Sequence, residues 1–111
     1  MRKPVGSPGN WFAEIGGTSL PCVHRHWVRG GLHDDPNVVD SRDYQRLISG
    51  IREKGYVILT TDEVIDEKKS FKRTGYIAIF GVKDLEVAGT HLTFRLGEKI
   101  EFDDWIANPR V

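Results

Sequence analysis

The run "GYIAIFGV", Gly75 to Val82, is apolar at odd and even positions alike. Successive side chains of a strand point to opposite faces. A strand apolar on both faces belongs in the middle of a sheet, with neither face left to water. "YVILTT", Tyr56 to Thr61, has the same character and is rich in β-branched residues. Two such strands place a sheet at the centre of the fold, and the rest of the chain must be fitted around it.

Immediately before Tyr56 the hydrophobic period is helical. Tyr44, Leu47, Ile48 and Ile51 fall at i, i+3, i+4 and i+7, which makes one apolar stripe on "SRDYQRLISGIREKG". Asp40 or Ser41 can cap its start, Asp43 lies in the first turn, and Arg52 and Lys54 lie in the last, as the helix dipole favours. Gly55 suits the residue just past the end. Gly50 interrupts a good helix, a feature worth about 1 kcal/mol against it relative to alanine, and a close neighbour would explain it.

The flanks read as further strands and turns. "WFAEI" alternates and is followed by Gly16-Gly17, a turn, so Leu20 to Val28 is the returning strand, with Pro21 at its start or on an edge. Arg29-Gly30-Gly31 breaks that strand, and "LHDDPNVVDS" reads as an irregular loop. "DEVIDEKKSFKR" places four acids before four bases and reads as an exposed loop or ragged hairpin. "DLEVAGTHLTFRL" is a hairpin around Ala88-Gly89-Thr90, with Leu92, Phe94 and Leu96 facing inward and His91, Thr93 and Arg95 outward. "KIEF" adds a short last strand, and "DDWIANPRV" is a terminal turn whose Trp105 docks on the body.

Two strands, one helix and a strand meander make an α+β protein: a curved antiparallel sheet or partly open β-barrel covered by one helix. With 111 residues the chain is expected to hold a loose tail over residues 1–9 and one small domain over 10–111. Its 16 basic and 16 acidic residues cancel, which excludes a coating protein that binds DNA by bulk charge but leaves room for a local basic patch. The lone Cys22 has no internal disulfide partner, and no run reaches the roughly 18 apolar residues of a membrane span. A reducing, cytoplasmic setting follows as the expectation.

Chemistry-bearing residues concentrate in "PCVHRHWVRGGLHDD", Pro21 to Asp35. If residues 22–28 are one strand, Cys22, His24 and His26 share a face, while Arg25, Trp27 and Arg29 share the other. The second face interleaves charge with an aromatic ring, and "KKSFKR" adds Lys72 and Arg73 in a loop. Guanidinium and ammonium groups contact phosphate, and an indole stacks on an unpaired base. The expected function is therefore a binding module rather than an enzyme, with nucleic acid or a nucleotide as ligand, no cofactor and no membrane partner. Such a small sheet is similar in architecture to PUA-like domains, some of which hold a base in an aromatic pocket, although no motif matches residue by residue.

The rival reading is a metal-dependent enzyme. Same-face neighbours on a strand stand about 7 Å apart, so His24 and His26 could share zinc or iron, with His33, Asp34 or Asp35 closing the site. The cupin pattern, which also places H-x-H on a strand, needs a later Glu and His on neighbouring strands and is not met. "HLTF" resembles the H-x-T element of two-histidine phosphoesterases, which need two such elements where this chain has one. No nucleophile elbow, P-loop or dinucleotide-binding glycine loop is present. Pairing through an exposed strand edge, to a homo-oligomer or another protein, is the third reading.

Overall fold

The helical stripe becomes helix α1, Arg42–Lys54. The Ser41 hydroxyl accepts a hydrogen bond from the Tyr44 amide, and Gly55 ends the helix at φ 73, a left-handed conformation that costs glycine little. In the computed structural model, residues 11–36, 38, 41–64 and 71–110 are described, with side chains excepted at 62–64 and 71–74. The tail expected at residues 1–9 lies outside them.

Among the described residues there are seven strands: β1 Phe12–Ile15, β2 Thr18–His24, β3 Val28–Arg29, β4 Leu32–Asp35, β5 Tyr56–Val64, β6 Phe71–Ala88 and β7 His91–Ile100. They form one open sheet in the order β1-β2-β5-β6-β7-β4-β3. The expected α+β class holds, and β6 stands at the centre of the sheet. One pair departs from the antiparallel expectation, because β2 and β5 are parallel. The chain between them passes through β4 and α1, and a crossover of that length returns the chain in its original direction.

The turn chemistry shows why Leu32–Asp35 is a strand and not the start of the loop expected there. Gly30 and Gly31, at φ 57 and 79, both adopt left-handed conformations. That is the requirement of a two-residue hairpin turn, and Arg29 pairs with Leu32 across it. Leu32–Asp35 then pairs along β7, so inter-strand hydrogen bonding overrides the weak strand propensity of the two aspartates.

Each face of the sheet carries a helix. On one face α1 packs Leu47 and Ile51 against Val23, Val57, Leu59, Leu92 and Phe94. On the other lies a second helix, α2, Phe102–Ala107, where only a turn was expected. Its Phe102 and Trp105 join Ala13, Ile15, Leu20, Cys22, Ile58, Ile79 and Ile100. "KIEF" is thus divided: Lys99 and Ile100 end β7, and Phe102 opens α2. Trp105 docks on the body as expected and is fully buried. The close neighbour of Gly50 is Phe12, whose ring would stand 2.7 Å from a β-carbon placed there.

Candidate functional site

β2 stops at His24, which pairs with Thr60 of β5. The Thr60 hydroxyl donates to the Val23 carbonyl at 3.2 Å. Arg25–Trp27 then winds into a single 3-10 turn with no buried residue. The strand alternation expected over residues 22–28 therefore fails beyond His24. Cys22 and Val23 are both core, one on each face of the sheet. Arg25, His26 and Trp27 come together on one turn that packs beside β5 and β4.

On that turn Arg25 and His26 are exposed, Trp27 is half-buried, and Arg29 just beyond is exposed. The Trp27 and His26 rings meet edge to face, with centroids 4.8 Å apart and planes at 84°. Trp27 is partly accessible at the surface of the turn, while one contact of its ring is to His26. Arg25, Trp27 and Arg29 thus share one small region, although a turn rather than an alternating strand gathers them. Lys72 and Arg73 belong to β6, where the register sets them opposite Glu63 and Asp62 of β5; their side chains lie outside the described set.

The three histidines of the metal reading do not form one cluster: His24 lies near enough to His33 to act on it, but His26 stands apart on the exposed turn. His33 is buried on β4, its ring stacked on Phe94 at 4.3 Å. Its Nδ1–H donates to the Leu92 carbonyl at 3.2 Å, since a carbonyl can only accept. Burial pushes its pKa down to about 4, against the raising influence of Asp35, the Leu92 carbonyl and Asp34. His26, by contrast, is exposed on the turn. Among the described residues no group of three His, Cys, Asp or Glu side chains is placed to hold a metal ion. The adjacent aspartates diverge: Asp34 meets His91 Nδ1 at 2.7 Å on the surface, whereas Asp35 accepts from the Tyr44 hydroxyl at 3.0 Å.

No family model, curated protein or solved structure matches the chain. Among the described residues no helix is long and apolar enough to cross a membrane. The site must therefore be read from its own geometry.

Two features escaped the sequence reading. One is a pair of hollows of about 300 and 410 Å³ that share Phe12 and Arg46, with the Arg46 guanidinium 5.8 Å from the Phe12 ring centre. Gly50 lines the larger of the two and was its trace in the sequence. The other is a row of exposed residues across four strands. The register sets Arg29 beside Leu32, Leu32 beside Arg95, and Arg95 beside Lys83. Arg95 was legible as outward-facing, but its alignment with Arg29 depends on β4 being a strand.

Proposed function

We propose that this protein is a binding module for nucleic acid or a nucleotide-like ligand, engaged by Arg25, Trp27 and Arg29 with Lys72 and Arg73 contributing from β6. The observation that carries the reading is the half-buried Trp27 on a turn flanked by exposed Arg25 and Arg29. A guanidinium offers phosphate two parallel donors. An indole stacks on an unpaired base for about 1–3 kcal/mol, whatever the base. The balanced charge of the whole chain requires that any such attraction be local. A cytoplasmic setting, where nucleotides and RNA are abundant, is part of the same proposal.

Tryptophan fluorescence tests it. Trp105 is fully buried, so quenching by added oligouridylate or oligothymidylate reports on the more accessible indoles. Binding is expected at about 50 mM salt and to weaken steeply by about 200 mM. Trp27→Ala should weaken it about ten-fold or more, the loss of one stacked base. Arg25→Ala and Arg29→Ala should each flatten the salt dependence. No binding of either oligonucleotide at the lower salt would show the reading to be wrong.

A further inference from the structure

Arg29, Leu32, Arg95 and Lys83 stand in register across β3, β4, β7 and β6. Paired residues on neighbouring strands project from the same face. All four are exposed, and Leu32 is 40% accessible. Their chain neighbours Val28, His33, Phe94 and Val82 project to the opposite side and pack toward α1. The row therefore occupies the face that carries α2, on the half that α2 leaves open. Strands lie about 4.8 Å apart, so the row is roughly 14 Å long.

Local details keep its cations available. Arg95 meets Asp84 at 3.9 Å, with side chains 66% and 79% exposed. An ion pair so open to water contributes little, and a phosphate can displace it. Among the described residues no ion pair engages Arg29 or Lys83. The register of β6 against β7 shifts between Lys83 and Glu86, and Asp84 there takes φ 55. Bulges of this kind re-aim side chains at a sheet surface. Gly97 makes room on the neighbouring strand, since a β-carbon there would stand 3.2 Å from Cε of Lys83.

We propose that this row is the track of a single-stranded nucleic-acid backbone, running from the Arg25–Trp27 turn across the open half of the sheet to Lys83. The inference rests on the nucleic-acid reading above and narrows it to a polymer. One phosphate cannot meet cations spread over roughly 14 Å, whereas a chain of regularly spaced phosphates can. Trp27 calls for an unpaired base, which a duplex does not offer. Leu32, apolar between two arginines, suits the face of a sugar or base between phosphate contacts.

The test is an oligouridylate series from the mononucleotide to roughly eight residues, within the range of known single-strand site sizes, measured against salt. Affinity should climb with length and level off near four nucleotides. The double variant Arg95→Gln/Lys83→Gln should lose the gain with length and reduce the salt slope by about 1.4, about 0.7 for each phosphate released. Its affinity for the mononucleotide should be unchanged. Asp84→Asn should tighten oligonucleotide binding, a gain that a misfolded chain cannot produce, and asparagine tolerates the positive φ of that position. An unchanged length dependence and slope in the double variant would overturn the track and leave the Trp27 reading standing. Failure of the wild-type protein to bind any oligonucleotide would overturn both. Polyphosphate of matched charge binding as tightly as the oligonucleotide, with the same dependence on Arg95 and Lys83, would assign the row to polyanions without bases and overturn the nucleic-acid track.

Discussion

Burial of the His33 imidazole between Phe94 and the Leu92 carbonyl favours its neutral form, and this couples folding to pH. Desolvation is the largest cause, and the nearby His24 acts in the same direction. Asp35, the Leu92 carbonyl and Asp34 oppose it but do not win, so the folded-state pKa is about 4 against an ordinary 6.5. Between these values the unfolded chain binds a proton that the folded chain refuses. Stability contributed by neutral His33 is therefore complete above pH 6.5 and is lost as pH falls from 6.5 toward 4. The full loss is on the order of 3 kcal/mol. Urea unfolding at neutral pH and near the lower pKa should show it. In His33→Gln the difference between the two conditions should shrink by most of that amount, even if the variant is less stable throughout. An identical pH dependence in both proteins would mean that another group controls it.

At the scale of the element, α1 and β1 meet at a point that neither would choose alone. Alanine at position 50 would favour the helix by about 1 kcal/mol, yet its β-carbon would stand 2.7 Å from the Phe12 ring. That ring also lies under the Arg46 guanidinium at 5.8 Å. Gly50→Ala must push Phe12 out, and overpacking of this kind typically costs about 1–3 kcal/mol, so the variant should be less stable by about 1 kcal/mol. In a Phe12→Ala background the same change should become stabilising by about 1 kcal/mol. A double-mutant cycle by denaturant titration checks the reversal of sign, and additive effects would remove Phe12 as the cause. The elements that could be read from the chain were those whose signals are local: the stripe of α1 with its Ser41 cap, the two-faced strands, and the Gly16-Gly17 and Gly89 turns. What could not be read depends on distant partners. β4 exists because β7 pairs with it, and β2 ends at His24 although its partner β5 runs on to Val64. The candidate site shared that limit, because Arg25, Trp27 and Arg29 were visible but the turn that gathers them was not.

Across the whole molecule, the sheet is stable only if both of its apolar faces are covered, and α1 covers one. The other depends on six helical residues, Phe102–Ala107, too few to persist as an isolated helix. α2 is held instead by what it buries. Trp105 is 0% exposed, meets Tyr56 edge to face at 5.2 Å, and belongs to the cluster that joins β1, β2, β5 and β6. Sequence alone placed Trp105 against the body but took its segment for a turn, because the apolar signal of six residues is too short to show a period. The indole N–H finds no hydrogen-bond partner among the described residues. Trp105→Phe should therefore lose volume without losing a hydrogen bond and cost well under half of the alanine replacement. Trp105→Ala should cost about 3–5 kcal/mol, a large share of the roughly 5–15 kcal/mol that holds a domain together. Guanidinium unfolding followed by far-ultraviolet circular dichroism should show a single transition at a much lower midpoint, since β1 and β2 lose their cover together with the helix. A cost of less than about 1 kcal/mol would mean that the second face of the sheet holds without α2, and the two-sided architecture would no longer account for the stability of this fold.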